Sequence, residues 1–387
     1  MIQLLLAIIY LSFVSLGLPD ALLGAGWPTM CGDFDVPLSY AGIVSLIIAG
    51  GTIVSSLLSD RMTLRFGTAR VTAFSVAMTA VALLGFSVTR SYWVLLLWAV
   101  PYGLGAGSVD ASLNNYVALH YTSRHMSWLH CMWGIGASTG PYVMGYALTA
   151  GQGWHMGYRY IALLQIVLTA VLFLSIPIWK ARPAGQEMGE EKRTKPLAMG
   201  DILRIPGAKE VLIAFFCYCA AEQTAILWSS TYLVMHDGLD EITAASFASF
   251  YLLGLTAGRA VSGFLTIRIN DTNMIRLGQA LMVLGITVML LPLGTAASMI
   301  GLMLIGLGCA PVYPCIIHST PDHFGPENSQ ALIGVQMASA YLGTLLVPPL
   351  FGLVAQHISA SLLPFFLAVV VGLMILMCES LNRKSAH

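Results

Sequence analysis

The sequence predicts an all-α membrane protein: twelve spanning helices in two pseudo-symmetric bundles of six. Three observations carry that expectation. Of 387 residues, 57% are hydrophobic and only 9% charged, whereas soluble domains carry about a quarter charged residues. The mean hydropathy is +0.79. Apolar runs of roughly 20 residues, enough helix to cross a bilayer core, recur twelve times between Pro, Gly or charged punctuation.

The first run, 3–30, opens on Met1-Ile2-Gln3 with no basic flank and is far longer than a signal-peptide core, so it is expected to be a retained helix, loosened at Pro19 and Pro28. Runs 38–59 and 69–89 flank "SDRMTLRFG". Run 92–119 is notched by "GLGAG" and then turns polar at Asp110, Asn114 and Asn115. Runs 125–150 and 158–180 complete a first group, 1–180. The stretch 181–207 is charged and rich in Pro and Gly, the composition of a linker. Runs 208–236, 242–267, 273–293, 296–319, 328–355 and 358–379 form a second group, 208–387.

Orientation follows from the positive charges. Fifteen of the eighteen Lys and Arg fall in the even-to-odd connections and the carboxyl tail; Arg90 and Arg159 fall on the opposite side and Arg259 within a run. Both termini are therefore expected in the cytoplasm. A shift of 203 residues aligns Gly51 with Gly254, Gly103-Leu104-Gly105 with Gly306-Leu307-Gly308, Gly140 with Gly343 and Arg65 with Arg268. The signature is that of an internal duplication. The same shift sets Asp20 against Gln223, beside Glu222, and Asp110 against Tyr313, so the first and seventh helices are expected to carry acids at equivalent depth.

Other chemistry is weakly represented. Seven cysteines are scattered, with no metal-ligand spacing, and read as small packing residues. "GLGAG" follows no strand and serves close helix packing rather than a nucleotide. No Walker motif is present, so no nucleotide-driven step is expected. No metal, cofactor or nucleic-acid partner is expected; the partners are the lipid bilayer and a small molecule.

An ionised carboxylate at a helix centre in lipid costs at least about 2.5–3.5 kcal/mol. Asp20, Asp110 and Glu222 all lie within runs, and buried bases that could offset them are few: Arg259, near the cytoplasmic end of its run, and His130. The alternatives are a structural role, capping or pairing in a dry interface, and a role in a transport path. Spacing favours the second. Asp110 and Asn114 share a helix face with Asn115 adjoining, a stripe suited to sugar hydroxyls. Asp20, Gly24 and Trp27 fall on one line of the first helix; His130, Trp133 and Gly134 share a face of the fifth. Glu222 and Gln223 sit on the seventh, with Trp228 and Tyr232 further along; Tyr313 and Gln336 complete the set on the tenth and eleventh. Desolvation raises a carboxyl pKa by up to 3–5 units at full burial, which lets such an acid exchange protons near neutral pH.

These residues resemble a known family. Two six-helix halves, a linker after helix six, "SDRMTLRFG" after helix two and the related "GRAVSGFLTIRIN" ending helix eight are similar to the major facilitator superfamily. Within it, "GLPDALLGAGWP", "VDASLNNYV", "YCAAEQTAILWSSTYLV" and "YPCIIHSTPDHFG" resemble the fucose-permease type of sugar:proton symporter. Helix four departs from that type in having Asp110 for Glu and Asn115 for Pro. The resemblance implies proton coupling at Asp20 and Asp110, with Asp110 the proton site proper, Glu222 a further candidate, and gating by Asp60, Arg61, Arg65 and Arg259. It implies a monomeric carrier in a plasma membrane, of bacterial inner-membrane type, importing a neutral monosaccharide with a proton by alternating access. Proton-linked export of drugs or metabolites, and sodium in place of the proton, are the alternatives.

Overall fold

The computed structural model describes residues 2–180 and 195–385. Residues 181–194, including Arg182, Lys192 and Arg193 of the expected linker, lie outside the described residues. All described regular structure is helical: α1 (Ile2–Gly17), α2 (Leu22–Asp33), α3 (Ala41–Phe66), α4 (Thr68–Val88), α5 (Tyr92–His120), α6 (Ser123–Thr149), α7 (Trp154–Lys180), α8 (Met199–Ile202), α9 (Ala208–Asp237), α10 (Glu241–Leu265), α11 (Asp271–Met289), α12 (Thr295–His318), α13 (Thr320–Phe324), α14 (Pro326–His357) and α15 (Leu363–Ser385), with two short 3-10 turns. Counting α1 and α2 as one broken pass, and setting aside the short α8 and α13, twelve passes stand among the described residues. Ten are long and apolar enough to cross a membrane by length and composition. Several helices outrun the apolar runs, α14 by two residues at each end, because hydropathy registers only the part that lipid must cover.

Contacts divide the chain into two units. Unit 1 comprises residues 1–116 and 129–197; unit 2 comprises 117–128 and 198–387. The tip of the α5–α6 hairpin thus packs with the second unit, although the bodies of both helices belong to the first. In unit 1 a core of Leu22, Trp27, Met30, Leu83, Phe86, Trp154 and Tyr158 joins α2, α4 and α7. In unit 2, α12 packs against α10 and α11, and α9 against α14 and α15; Phe215, Leu302 and Met282 are fully buried there.

The break between α1 and α2 has a direct cause. Pro19 has no N–H to donate and cannot continue the i→i−4 ladder. The chain crosses the gap with tighter bonds, Asp20 N–H to Gly17 O and Leu22 N–H to Pro19 O, at 3.1 Å each. Pro28, by contrast, is absorbed within α2.

The duplication is visible as repeated backbone approaches. A Cβ on Gly103 would lie 2.3 Å from the Ile48 carbonyl oxygen; one on Gly306 would lie 2.1 Å from that of Tyr251. Both pairs are related by the shift of 203. We expect Gly103→Val and Gly306→Val each to lower stability by at least about 1–3 kcal/mol, the usual cost of overpacking. Thermal unfolding of the purified protein checks this.

Helix one follows a different shift. Gly136 and Gly140 of α6 approach the carbonyls of Val14 and Leu18, while Ser339 and Gly343 of α14 approach those of Leu212 and Phe216. The α6–α14 shift is 203, but the α1–α9 shift is 198. Asp20 therefore corresponds to Tyr218, and Glu222 to Gly24. The expectation of acids at equivalent depth in helices one and seven is corrected: five more residues separate the contact positions of α14 from those of α9 than separate those of α6 from those of α1.

At the start of α10, Asp240 caps the helix, its Oδ1 accepting from the Thr243 N–H at 3.0 Å. The hydroxyl and N–H of Thr243 hold this carboxyl below the usual carboxylate range. A group with a lowered folded pKa stabilises above its unfolded pKa and loses that contribution as pH falls through the folded value. Asp240→Ala should therefore fray the first turn at neutral pH as acid frays it in the parent chain, and Asp240→Asn should keep the cap without the pH response. Amide exchange at Thr243 reads out both.

Candidate functional site

In unit 1 the helix break presents Asp20 with its carboxyl exposed. Trp133 of α6 reaches it, Nε1–H donating to Asp20 Oδ2 at 2.8 Å. That reach depends on α6 lying backbone-to-backbone against α1 through Gly136 and Gly140. Asp20 makes no ion pair among the described residues. Its charged neighbour is another acid, Asp110, and the buried Tyr102 hydroxyl lies beside it.

Asp110, Asn114, Asn115 and His130 are all buried. The Asn114 side-chain amide donates to Asp110 Oδ1 at 2.8 Å and to the Asp110 carbonyl at 3.0 Å. Two acceptors fix which end of that amide carries hydrogens. Asn114 Oδ1 then faces His130 Nε2 at 3.1 Å, so Nε2 is the donor. The result is a directed chain, His130 to Asn114 to Asp110, with Phe13 edge-on to the imidazole at 5.5 Å. The i, i+4 spacing of Asp110 and Asn114 is realised as expected, and His130 joins them from the next helix. Trp27 does not join. It is buried in the apolar core against Tyr92, its indole N–H held by the Leu38 carbonyl at 2.7 Å. Its part as an aromatic plate for substrate is corrected to a packing role: the break at Pro19 takes α2 out of the register that put Trp27 in line with Asp20.

In unit 2, Glu222 of α9 pairs with Arg259 of α10, Nη2 to Oε1 at 3.2 Å. Side-chain exposures of 14% and 6% show that both ends are largely withdrawn from solvent. Tyr218 and Tyr251 close over this pair; their hydroxyls donate to the carbonyl and the thiol sulfur of Cys309, at 3.0 and 3.3 Å. Glu222 is thus not a lone acid, and Arg259 is turned inward to it rather than placed among the loop residues expected to gate.

The remaining candidates of unit 2 separate. Gln223 is half-buried with no hydrogen-bond partner among the described residues. Tyr313 lies tilted against Phe215 and edge-on to Tyr218, at 4.7 and 5.9 Å between ring centres, and its hydroxyl meets Met337 Sδ at 3.3 Å. Trp228 is engaged in helix packing, donating to the Pro348 carbonyl at 2.9 Å and lying across Phe351. Gln336 is fully buried and closed on Thr320, its amide nitrogen donating at 3.0 Å. Trp228 and Gln336 are corrected to structural roles, since their polar atoms are spent within the unit. The Asp20–Asp110 pair of unit 1 has as its counterpart the phenol pair Tyr218–Tyr313.

Of the loop residues, Asp60 is buried and accepts the Leu197 N–H at 3.3 Å, tying the described end of the linker to α3. Arg61 and Arg65 are exposed, with Arg65 over the Phe66 ring at 5.3 Å. Sequence reasoning did not reach Tyr102, Tyr218, Tyr251 and Cys309: an apolar-bodied side chain in an apolar run carries no signal until its neighbours are known.

Comparison with known proteins identifies the family and the fold. The model of the Major Facilitator Superfamily matches residues 9–300 and 236–384. The chain is 24% identical over 365 residues to the uncharacterised transporter y4wD of Sinorhizobium fredii, covering 92% of each. It is 20% identical over 321 residues to the glucose/mannose transporter GlcP of Bacillus subtilis, covering 79% of this chain and 77% of GlcP. Among solved structures it superposes on FucP in the outward conformation with a TM-score of 0.80 at 15% identity, over 97% of both chains. On the proton:xylose symporter XylE the TM-score is 0.78 at 12% identity, over 98% of this chain and 94% of that one. The chain is a multi-pass membrane transporter, not an enzyme, and it belongs to the Major Facilitator Superfamily.

Proposed function

We propose that this transporter imports a neutral monosaccharide together with a proton, as a monomer, by alternating access around the polar groups described above. The carrying observation is the pairing of an exposed Asp20, held by an indole rather than a cation, with a buried Asp110 that ends a directed hydrogen-bond chain. Asp20 and Trp133 offer the acceptor and aromatic edge that sugar hydroxyls take. The sugar carriers among its relatives support this reading. The distribution of Lys and Arg supports cytoplasmic termini, and the plasma membrane is the location that goes with this reading.

One observation favours a second reading. Arg259, buried beside Glu222, would hold the carboxylate of a sugar acid or other small anion if Glu222 were protonated. Both readings are tested by uptake into proteoliposomes, with an imposed inward proton gradient and no sodium, of labelled neutral monosaccharides and a sugar acid. Accumulation of a neutral sugar that a protonophore collapses supports the first reading. Accumulation of the acid alone supports the second, and uptake of neither defeats both.

A further inference from the structure

His318 is the last residue of α12 and Asp271 the first of α11. The α5–α6 connection, part of unit 2, lies against both. His318 Nδ1 is 2.5 Å from Asp271 Oδ2, and His318 Nε2 is 2.9 Å from the Tyr121 carbonyl oxygen. The Ser123 hydroxyl donates to Asp271 Oδ1, with the Cys315 sulfur 3.8 Å away. Imidazole and carboxyl are both largely withdrawn from solvent, at 17% and 11% side-chain exposure.

Counting hydrogens decides what this arrangement requires. A backbone carbonyl only accepts, so Nε2 carries a hydrogen. A neutral imidazole has no second one. Without a hydrogen between them, Nδ1 and the Asp271 carboxylate would set lone pair against lone pair at 2.5 Å. The cluster therefore holds one proton more than a neutral imidazole and a carboxylate. The other titratable or charged groups facing it are Asp322 on α13 and Cys315 on α12 itself. From the hairpin side come Tyr121 and Ser123; the next residue, Arg124, holds its guanidinium 5.2 Å over Trp128.

We propose that His318 and Asp271 form a proton-binding latch that ties the α5–α6 connection to the ends of α11 and α12 while the proton is bound and frees it when the proton leaves. The inference does not depend on what the transporter carries. In the orientation proposed above it lies at the cytoplasmic face, so a rise in internal pH loosens the hairpin tip. A single shared proton sets the steepness: well above the midpoint, the ratio of tied to free tip falls about tenfold per pH unit.

The test uses the full chain in lipid nanodiscs. Nitroxides are placed at the exposed Thr122 and Arg383 in a background where the half-buried Cys31 and Cys131 are serine, and their distance distribution is recorded from pH 5 to 9. The parent chain should pass from one narrow distance to a broader, longer set as pH rises. Asp271→Asn supplies an amide hydrogen to the unprotonated Nδ1 and keeps an oxygen for Ser123, so it should stay tied at every pH. His318→Gln cannot take up the proton and should show no pH response. An invariant distribution in the parent chain, or an unchanged pH response in either variant, overturns the proposal.

Discussion

On the proposed function, Asp110→Asn will equilibrate a monosaccharide across the membrane but not concentrate it. In proteoliposomes with an inward proton gradient, the internal concentration should rise to the external value and stop there, while exchange of labelled for unlabelled sugar continues. The geometry makes this a clean substitution. Asn114 donates to Asp110 Oδ1 at 2.8 Å, and an asparagine at 110 offers an oxygen in that place, so the chain from His130 remains intact. What is lost is the capacity to bind and release a proton. A carrier that cannot bind the proton has no means of drawing on its gradient, and a ligand moves a conformational equilibrium only as far as it discriminates between the states. Uphill uptake by this variant, undiminished, would refute the assignment of Asp110 as coupling site. Loss of exchange as well would show that the residue positions substrate.

The fold was largely legible because its solvent is. Twelve apolar runs mark twelve passes, and the glycines at 51, 103, 254 and 306 announce backbone approaches that the structure realises. Pro19 correctly marked the helix break. The site was legible where its residues lie on one helix, as with Asp110 and Asn114, because helical periodicity alone puts them together. It was illegible where two helices must be brought into register. The offset taken from the glycines fails for helix one by five residues, and with it the pairing of Asp20 with Glu222. Trp27 and Trp228 illustrate a second limit. An indole is equally a substrate plate and a packing block, and only the carbonyls of Leu38 and Pro348 decide which. The His318–Asp271 pair shows a third: each residue is a routine helix-end charge in its own segment, and the two are 47 positions apart.

The largest cost to stability is expected at the buried ion pair of unit 2. Glu222→Ala leaves a guanidinium in a nearly dry site, and Arg259→Ala leaves a carboxylate there; each should destabilise by about 3–5 kcal/mol, because the survivor keeps its desolvation penalty without its partner. The double variant removes both charges together, so it should cost less than the sum of the single changes, and less than either alone if the space collapses well. Tyr218 works against that collapse, since its hydroxyl, which donates to the Cys309 carbonyl, also meets Glu222 and Arg259 and must find new surroundings once they are gone. The measurement is a double-mutant cycle on the unfolding of the purified protein in one detergent. Strict additivity would show that the 3.2 Å contact carries no coupling energy. The cycle also separates the two functional readings. If Arg259 serves only to neutralise Glu222, the double variant should keep neutral-sugar uptake. If the guanidinium holds an anionic substrate, restoring stability will not restore transport, because the charge that the substrate needs is gone.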